Sequence, residues 1–367
     1  MDEKIPRLVE WSKGRKSPPL VLDINPTDKC NLKCLSCWQR SEKYSNIDSS
    51  YELPEKKLLD IVREAAKIGV KQIEITGGGE PLVRRSTIFK IMSLIKKLKI
   101  YGNITTNGTL FTPVIIKTLV DIGWDSITFS IDGPDAKTND YLRGTPGAFE
   151  NCMEALNRIN HLKKTMNKKN PVIKFNTVLS NKNYEKMSKM IELAKNAECS
   201  AVNFEPMTLH SVAGKKLMLN KNEKAKLNKN ITKAKKLAEK YSISTNLESL
   251  KSTIEKSKMD KLLSKEASDC DEGFLSIPCY EPWYHIVVKV DGSVQPCCLH
   301  DSKEENVQEK TLGEIWFGPA FEKIRDNISK KKFSKYCSIC NFGQVLANRK
   351  IRSELAKSLS DENERKN

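Results

Sequence analysis

The sequence predicts an α/β protein built on a parallel sheet, followed by a smaller α+β segment rich in cysteine. Three observations carry this expectation. Between residues 20 and 207, short runs rich in β-branched and aromatic residues alternate with helical patterns. The residues with chemical potential fall just after those runs, where a parallel sheet presents its strand ends. From Cys279 onward the composition shifts toward aromatics and cysteines.

The strand candidates in order are LVLDINPT (20–27), VKQIEIT (70–76), NITTN (103–107), SITFSID (126–132), VIKFNTVL (172–179) and AVNFEPM (201–207). Between them lie helices. In PEKKLLDIVREAAKIG, Leu58, Ile61, Val62 and Ala65 recur at helical spacing, a proline opens the segment and Gly69 closes it. Six strands alternating with helices of about 10 to 20 residues imply right-handed crossovers between parallel neighbours. The expected order is an N-terminal extension (1–19), a core domain (20–210), a lysine-rich helical bridge (211–270), a cysteine-bearing domain (271–345) and a C-terminal helix and tail (346–367). Within the cysteine-bearing part, WYHIVVKV followed by DGSVQP reads as a hairpin turning at Asp291–Gly292.

Bulk properties narrow the class. The chain has 367 residues, 38% hydrophobic and 30% charged, as in a globular protein with room for one large core and an appendage. No stretch approaches the roughly 20 apolar residues that cross a bilayer, so a cytoplasmic protein without membrane partners is expected. The net charge of +17 comes mainly from lysines spread along segments such as KNEKAKLNKNITKAKKLAEK. That reads first as a solvated surface; it also suits an anionic substrate, whereas no nucleic-acid motif accompanies it. Eleven cysteines in a reducing compartment point to metal ligation rather than disulfides.

CNLKCLSCW places Cys30, Cys34 and Cys37 in a C-x3-C-x2-C triplet after the first strand. Three thiolates can hold three corners of a four-iron cube and leave the fourth iron open. A split zinc site is the alternative, although no nearby His or Cys supplies a fourth ligand. GGGEP (77–81) follows the second strand, where glycines permit close approach of the backbone and Glu80 offers a carboxylate. Asn107 follows the third strand and Asp132 the fourth.

The triplet together with Gly78, Gly79 and Glu80 resembles the signature of the radical S-adenosylmethionine (SAM) enzymes, over residues 20–207. The resemblance implies a partial (β/α)6 TIM-like barrel holding a [4Fe-4S] cluster on Cys30, Cys34 and Cys37, with SAM chelating the open iron. It also places Ser130, Asp132 and Asn176 near SAM and Arg143 in a segment typical of one branch of the family; Arg143 and the strand-end Asn107 are further cofactor-binding candidates. Many members carry an aromatic just before the third cysteine; here Ser36 stands there and Trp38 follows, so Trp38 is the candidate for the adenine face.

Cys279, Cys297, Cys337 and Cys340 form a second set, C-x17-C, a long gap, then C-x2-C, complete for a cluster or for a structural zinc. With Gly292 and LGEIW between them, the set resembles the auxiliary-cluster domain called SPASM, or its shortened form called twitch. No cysteines follow Cys340, which implies one auxiliary [4Fe-4S] cluster. Sulfatase-maturing relatives place an acidic base after the equivalent of Cys297; here Cys298 occupies that place and reads as an inert buried thiol. Cys152, Cys199 and Cys270 read as isolated thiols. Glu205, His210 and Tyr141 fall at or near the strand-end rim.

The resemblance therefore implies a radical SAM oxidoreductase that abstracts hydrogen from an unactivated C–H bond of a sugar- or cyclitol-like molecule, dehydrogenating or epimerising it. A peptide maturase forming thioether or carbon–carbon crosslinks is the alternative, although only 29 residues precede Cys30, too few for a leader-binding domain. A non-catalytic iron-sulfur or zinc scaffold on nucleic acid is the third reading. The implied partners are a small-molecule or peptide substrate and a low-potential donor such as flavodoxin or ferredoxin.

Overall fold

The computed structural model describes residues 3–40, 51–207, 212–248, 250, 273–337, 340 and 342–364. In chain order the principal elements are α1 (Lys4–Ser12), β1 (Val21–Ile24), α2 (Glu55–Ile68), β2 (Gln72–Ile75), α3 (Arg85–Lys97), β3 (Tyr101–Thr106), α4 (Pro113–Asp121), β4 (Ser126–Ser130), α5 (Ala136–Arg143), α6 (Ala148–Thr165), β5 (Val172–Leu179), α7 (Met187–Asn196), β6 (Ala201–Pro206), α8 (Val212–Lys215), α9 (Lys221–Lys240) and β7 (Ser244–Thr245). They continue with α10 (Glu281–Tyr284), β8 (His285–Val288), β9 (Val294–Gln295), α11 (Leu312–Trp316), α12 (Pro319–Ser329) and α13 (Phe342–Glu364). The chain forms two units. The larger comprises Asn25–Glu52 and Glu74–Ile254; the smaller comprises Met1–Ile24, Leu53–Ile73 and Glu255–Asn367.

In the larger unit the strands run in the order β3-β4-β5-β6-β7, with Glu74 and Ile75 of β2 on the β3 side. The pairs from β3 to β7 are parallel, as the strand–helix alternation requires. β5 shows the two faces most plainly: Ile173, Phe175, Thr177 and Leu179 are buried, while Val172, Lys174, Asn176 and Val178 are half-buried. All six expected strands are present. β5 has the expected limits, whereas β1 and β4 end at Ile24 and Ser130 because the next residues already turn into the site loops. β7 adds a strand that two polar residues, Ser244 and Thr245, could not announce by periodicity.

The smaller unit is built on β1, which pairs in parallel with β8, Val21 opposite His285 and Ile24 opposite Val288. β9 then folds back antiparallel on β8, giving the expected hairpin. Ile5, Leu8 and Val9 of α1 share a core with Tyr280, Trp283, Ile351 and Leu355. Each large aliphatic buried there contributes about 1.5–3 kcal/mol relative to exposure. The expected N-terminal extension thus contains an ordered helix, whose i, i+3, i+4 apolar spacing is the signal. α2 behaves as its sequence dictates: Leu58, Ile61, Val62 and Ala65 are buried and Gly69 caps it in the left-handed region.

Candidate active site

The triplet loop leaves β1 and is closed by short-range bonds. Cys37 N–H donates to Cys34 O at 3.3 Å and Arg40 N–H to Cys37 O at 3.0 Å. The Gln39 amide returns to Asp28 O at 2.7 Å, and the Arg40 guanidinium to Leu32 O at 3.2 Å. Cys30 is exposed, and Cys34 and Cys37 are half-buried. Lost hydration is the largest cause raising the pKa of Cys30 and of Cys37, and Cys34 raises both further. Cys30 and Cys37, held towards the thiol form by burial and by the neighbouring Cys34, lie in a site that a cationic group would complete.

GGGEP is stitched to the residues just ahead of Cys30. Gly79 N–H donates to Thr27 O and Glu80 N–H to Lys29 O, both at 2.8 Å. A Cβ on Gly79 would lie 2.5 Å from Lys29 C and 2.7 Å from Asp28 C, so only glycine lets the two segments meet. Glu80 is 2% exposed. Its Oε1 accepts from Thr106 Oγ1 at 2.7 Å and Leu82 N–H at 3.1 Å, and its Oε2 from Asn107 N–H at 2.7 Å. Burial raises its pKa against those bonds. The carboxylate therefore turns into the protein and fixes the exit of β3.

That exit reaches back to the triplet. Asn107 donates through Nδ2 to Asn31 Oδ1 at 2.9 Å and accepts at Oδ1 from Thr109, while Asn31 Nδ2 donates to Thr109 Oγ1 at 2.8 Å. The partner of Cys30's neighbour is thus a residue more than seventy positions away, a contact no local pattern signals.

Asp132 and Arg143 form a buried ion pair, Nε to Oδ2 at 2.9 Å. Arg143 Nη1 also lies 3.9 Å from Cys34 Sγ. Burial opposes the guanidinium's charge, but Asp132 and Cys34 overcome it and raise its pKa. The main chain beside Arg143 holds the triplet loop: Lys33 N–H donates to Arg143 O at 3.2 Å and Leu35 N–H to Leu142 O at 2.9 Å. Gly144, at φ +61°, passes so close under Lys33 that a Cβ would lie 2.8 Å from Lys33 C.

The remaining expected residues are distributed around these. Ser130 stands opposite Asn176 in the β4–β5 register, and Asn176 opposite Asn203 in β5–β6. Asn203 Nδ2 donates to Asn176 Oδ1 at 3.0 Å and also contacts Glu205. Trp38 opens a short 3-10 turn, Trp38–Arg40. Tyr141 is exposed on α5. His210 and Cys270 lie outside the described residues. Cys152 and Cys199 are buried, and burial pushes both thiols up to about 12.

In the smaller unit Cys279 precedes α10, Cys297 follows β9, and Cys337 and Cys340 precede α13. Cys340 N–H donates to Cys337 O at 3.2 Å. Tyr336 OH donates to Asp301 O at 2.6 Å and its ring meets His300 at 5.0 Å, drawing the two cysteine segments together. Burial pushes Cys340 up to about 12, and Cys297 and Cys337 add to it; Cys279 likewise feels Cys297 and Cys340 after the larger effect of burial. Cys298 is exposed on the turn rather than buried. Beside the set, His285 bridges Glu281 at 2.6 Å and Asp23 at 3.5 Å, a network the sequence reading missed. Among the described residues no three His, Cys, Asp or Glu side chains gather as ligands of a single ion.

Residues 24–199 match the model of the radical SAM superfamily, and residues 279–341 that of an iron-sulfur cluster-binding domain, SPASM. The AdoMet-dependent heme synthase of Methanosarcina barkeri is 34% identical over 190 residues, 52% of this chain and 47% of that protein. The mycofactocin maturase MftC of Mycobacterium tuberculosis is 30% identical over 159 residues, 43% of this chain and 39% of that one. The matches thus span less than half the length of these curated relatives. Streptococcus suis SuiB bound to its precursor peptide SuiA superposes with a TM-score of 0.63 at 20% identity, over 90% of this chain and 71% of that one. Native anSMEcpe with bound AdoMet gives 0.61 at 19% identity, over 93% and 98%. At such identities these two structures speak for the fold, a partial α/β barrel followed by a small iron-sulfur domain. A [4Fe-4S] cluster, SAM and auxiliary iron-sulfur ligation are the cofactors of these domains. Residues 24–199 are thus a radical SAM domain, and residues 279–341 a C-terminal SPASM domain.

Proposed function

We propose that Cys30, Cys34 and Cys37 hold a [4Fe-4S] cluster with SAM at its open iron, and that the protein abstracts hydrogen from an unactivated C–H bond of a sugar- or cyclitol-like substrate. When bound and reduced, the cluster supplies the electron that splits SAM into methionine and a 5′-deoxyadenosyl radical. Gly78, Gly79, Glu80, Asn107, Ser130, Asp132, Arg143, Asn176 and Trp38 are the SAM-site residues in this reading. Cys279, Cys297, Cys337 and Cys340 would hold one auxiliary [4Fe-4S] cluster, which would supply an acceptor for an electron left on the substrate, and flavodoxin or ferredoxin is the electron donor in this reading.

The observation that carries the reading is the convergence of the triplet loop, the GGGEP segment and the β3 exit, joined by Glu80 and Asn107. The chain's own work here is positional. Glu80 and the Gly79 contact fix the loops before any ligand arrives, so little ordering remains when SAM binds. The half-buried Asn176, Asn203 and Glu205 offer hydrogen bonds suited to a hydroxyl-bearing substrate. Reduced, anaerobically reconstituted protein should form 5′-deoxyadenosine; a Cys34→Ala variant that matches it would refute the assignment. Iron should fall from about eight to about four per chain in Cys337→Ala/Cys340→Ala. An unchanged iron count with zinc present would refute the auxiliary cluster.

A peptide substrate is the second reading, favoured by the 30% identity to a mycofactocin maturase. Following mass changes in fractionated host extract separates the two: modification confined to peptides overturns the sugar reading.

A further inference from the structure

We propose that the buried Arg143–Asp132 pair sets the reduction potential of the group held by the triplet, the guanidinium raising it and the carboxylate restraining it. This inference rests on the reading that the triplet holds a cluster. It concerns residues whose charges are fixed by geometry. Arg143 stays protonated in proteins, so the cation is permanent. Its Nη1 is 3.9 Å from Cys34 Sγ, and the surroundings exclude most of the water that would otherwise screen it. Reducing a cluster adds negative charge. A cation beside a ligand sulfur stabilises the reduced form, and an anion destabilises it.

Neither partner can drift away. Asp132 N–H donates to Asn139 Oδ1 at 2.9 Å, Val178 N–H donates to Asp132 Oδ1 at 2.8 Å, and Asn183 Nδ2 donates to Asp132 O at 2.8 Å. Asp132 Oδ2 is thereby left for Arg143. On the other side, the bonds from Lys33 and Leu35 to the end of α5 tie the backbone carrying Arg143 to the loop carrying Cys34. The pair is therefore a fixed dipole with its positive end at the sulfur. A lone cation there would make the cluster easy to reduce but a poor reductant of SAM. The carboxylate tempers this.

The test is a redox titration of full-length, reconstituted protein without SAM, followed by electron paramagnetic resonance. The relevant signal is the one that changes when SAM is added. Arg143→Gln, which bares the anion, should shift the midpoint to more negative values. Asp132→Asn, which bares the cation, should shift it to less negative values, and Arg143→Lys should stay nearest the wild type. A merely structural lesion would move both the Gln and the Asn variants the same way. Shifts of the same sign, or no shift with wild-type iron content, overturn the inference. Should Arg143→Gln fail to assemble a cluster, Asp132→Asn decides alone: a rise supports the pair's role, a fall or no change refutes it. If the wild type gives no SAM-responsive signal, the cluster reading itself fails, and the inference with it.

Discussion

Gly79→Ala tests how tightly the two site loops are joined. An added Cβ would sit 2.5 Å from Lys29 C and 2.7 Å from Asp28 C, and these are backbone atoms with no flexible end to swing away. The carbonyl oxygen of Lys29 lies closer still, so to bring all three contacts to even 3.0 to 3.4 Å the segments have to part by about 1 Å or more. That opening stretches the 2.8 Å bonds from Gly79 to Thr27 and from Glu80 to Lys29. Their loss costs about 1 kcal/mol each, and a misplacement of about 1 Å at a reacting centre costs on the order of 10²-fold in rate. Lys29 adjoins Cys30, so the damage falls on the triplet. The assay compares 5′-deoxyadenosine formation, iron content and thermal unfolding with those of Gly123→Ala. Gly123 has φ +64° and nothing within 4 Å, so its alanine variant carries only the left-handed strain of about 1–2 kcal/mol. Gly79→Ala should lose most turnover, whereas Gly123→Ala should keep it despite similar destabilisation. Equal activity in the two variants would refute the reasoning.

Two further outcomes follow from the same geometry. Glu80→Gln puts an amide NH2 or a lone acceptor where Oε1 and Oε2 now serve three donors, so denaturant unfolding should show a loss of about 1–3 kcal/mol and SAM binding should weaken; an unchanged midpoint and affinity would refute the clamp. In the smaller unit, burial works against the charge of His285, but Asp23 and Glu281 overcome it and raise its pKa well above 6.5. The folded protein then holds a proton that the unfolded chain releases, so this stabilisation is complete below about pH 6.5 and is lost as pH rises toward the folded value. His285→Gln should be less stable than the wild type near pH 6, with the gap closing at alkaline pH. A gap that widens with pH would contradict this sign.

The strands and the triplet were legible because both are local. Alternation in VIKFNTVL fixes β5 to the residue, and the spacing of Cys30, Cys34 and Cys37 is contained in one loop. The parallel pairing of β1 with β8 was not, since it joins residues more than 250 positions apart and either strand alone fits several neighbours. Glu80 shows the same limit in the site. Its place after two glycines suggested a carboxylate offered to a ligand, but only the fold reveals that Thr106 and Asn107 lie behind it. The Arg143–Asp132 pair spans α5, whose sequence gives Asp135 as its cap and Gly144 as its stop without saying what the last side chain reaches. His285 was hidden for a simpler reason. Its partners come from Glu281, one helical turn earlier, and Asp23, near the other end of the chain.

The pairing of β1 with β8 also has a meaning in time. During synthesis β1 emerges early, and its neighbour appears only after the intervening residues have been made, which at ribosomal rates takes on the order of ten seconds or more. Other joints of the same unit wait as long: Trp316 Nε1 donates to Ser17 O at 2.9 Å, and Leu312 N–H to Glu64 at 2.9 Å. One edge of β1 therefore stays open to wrong partners for that interval. A nascent chain stalled before His285 would present that edge unpaired, whatever the state of the residues between.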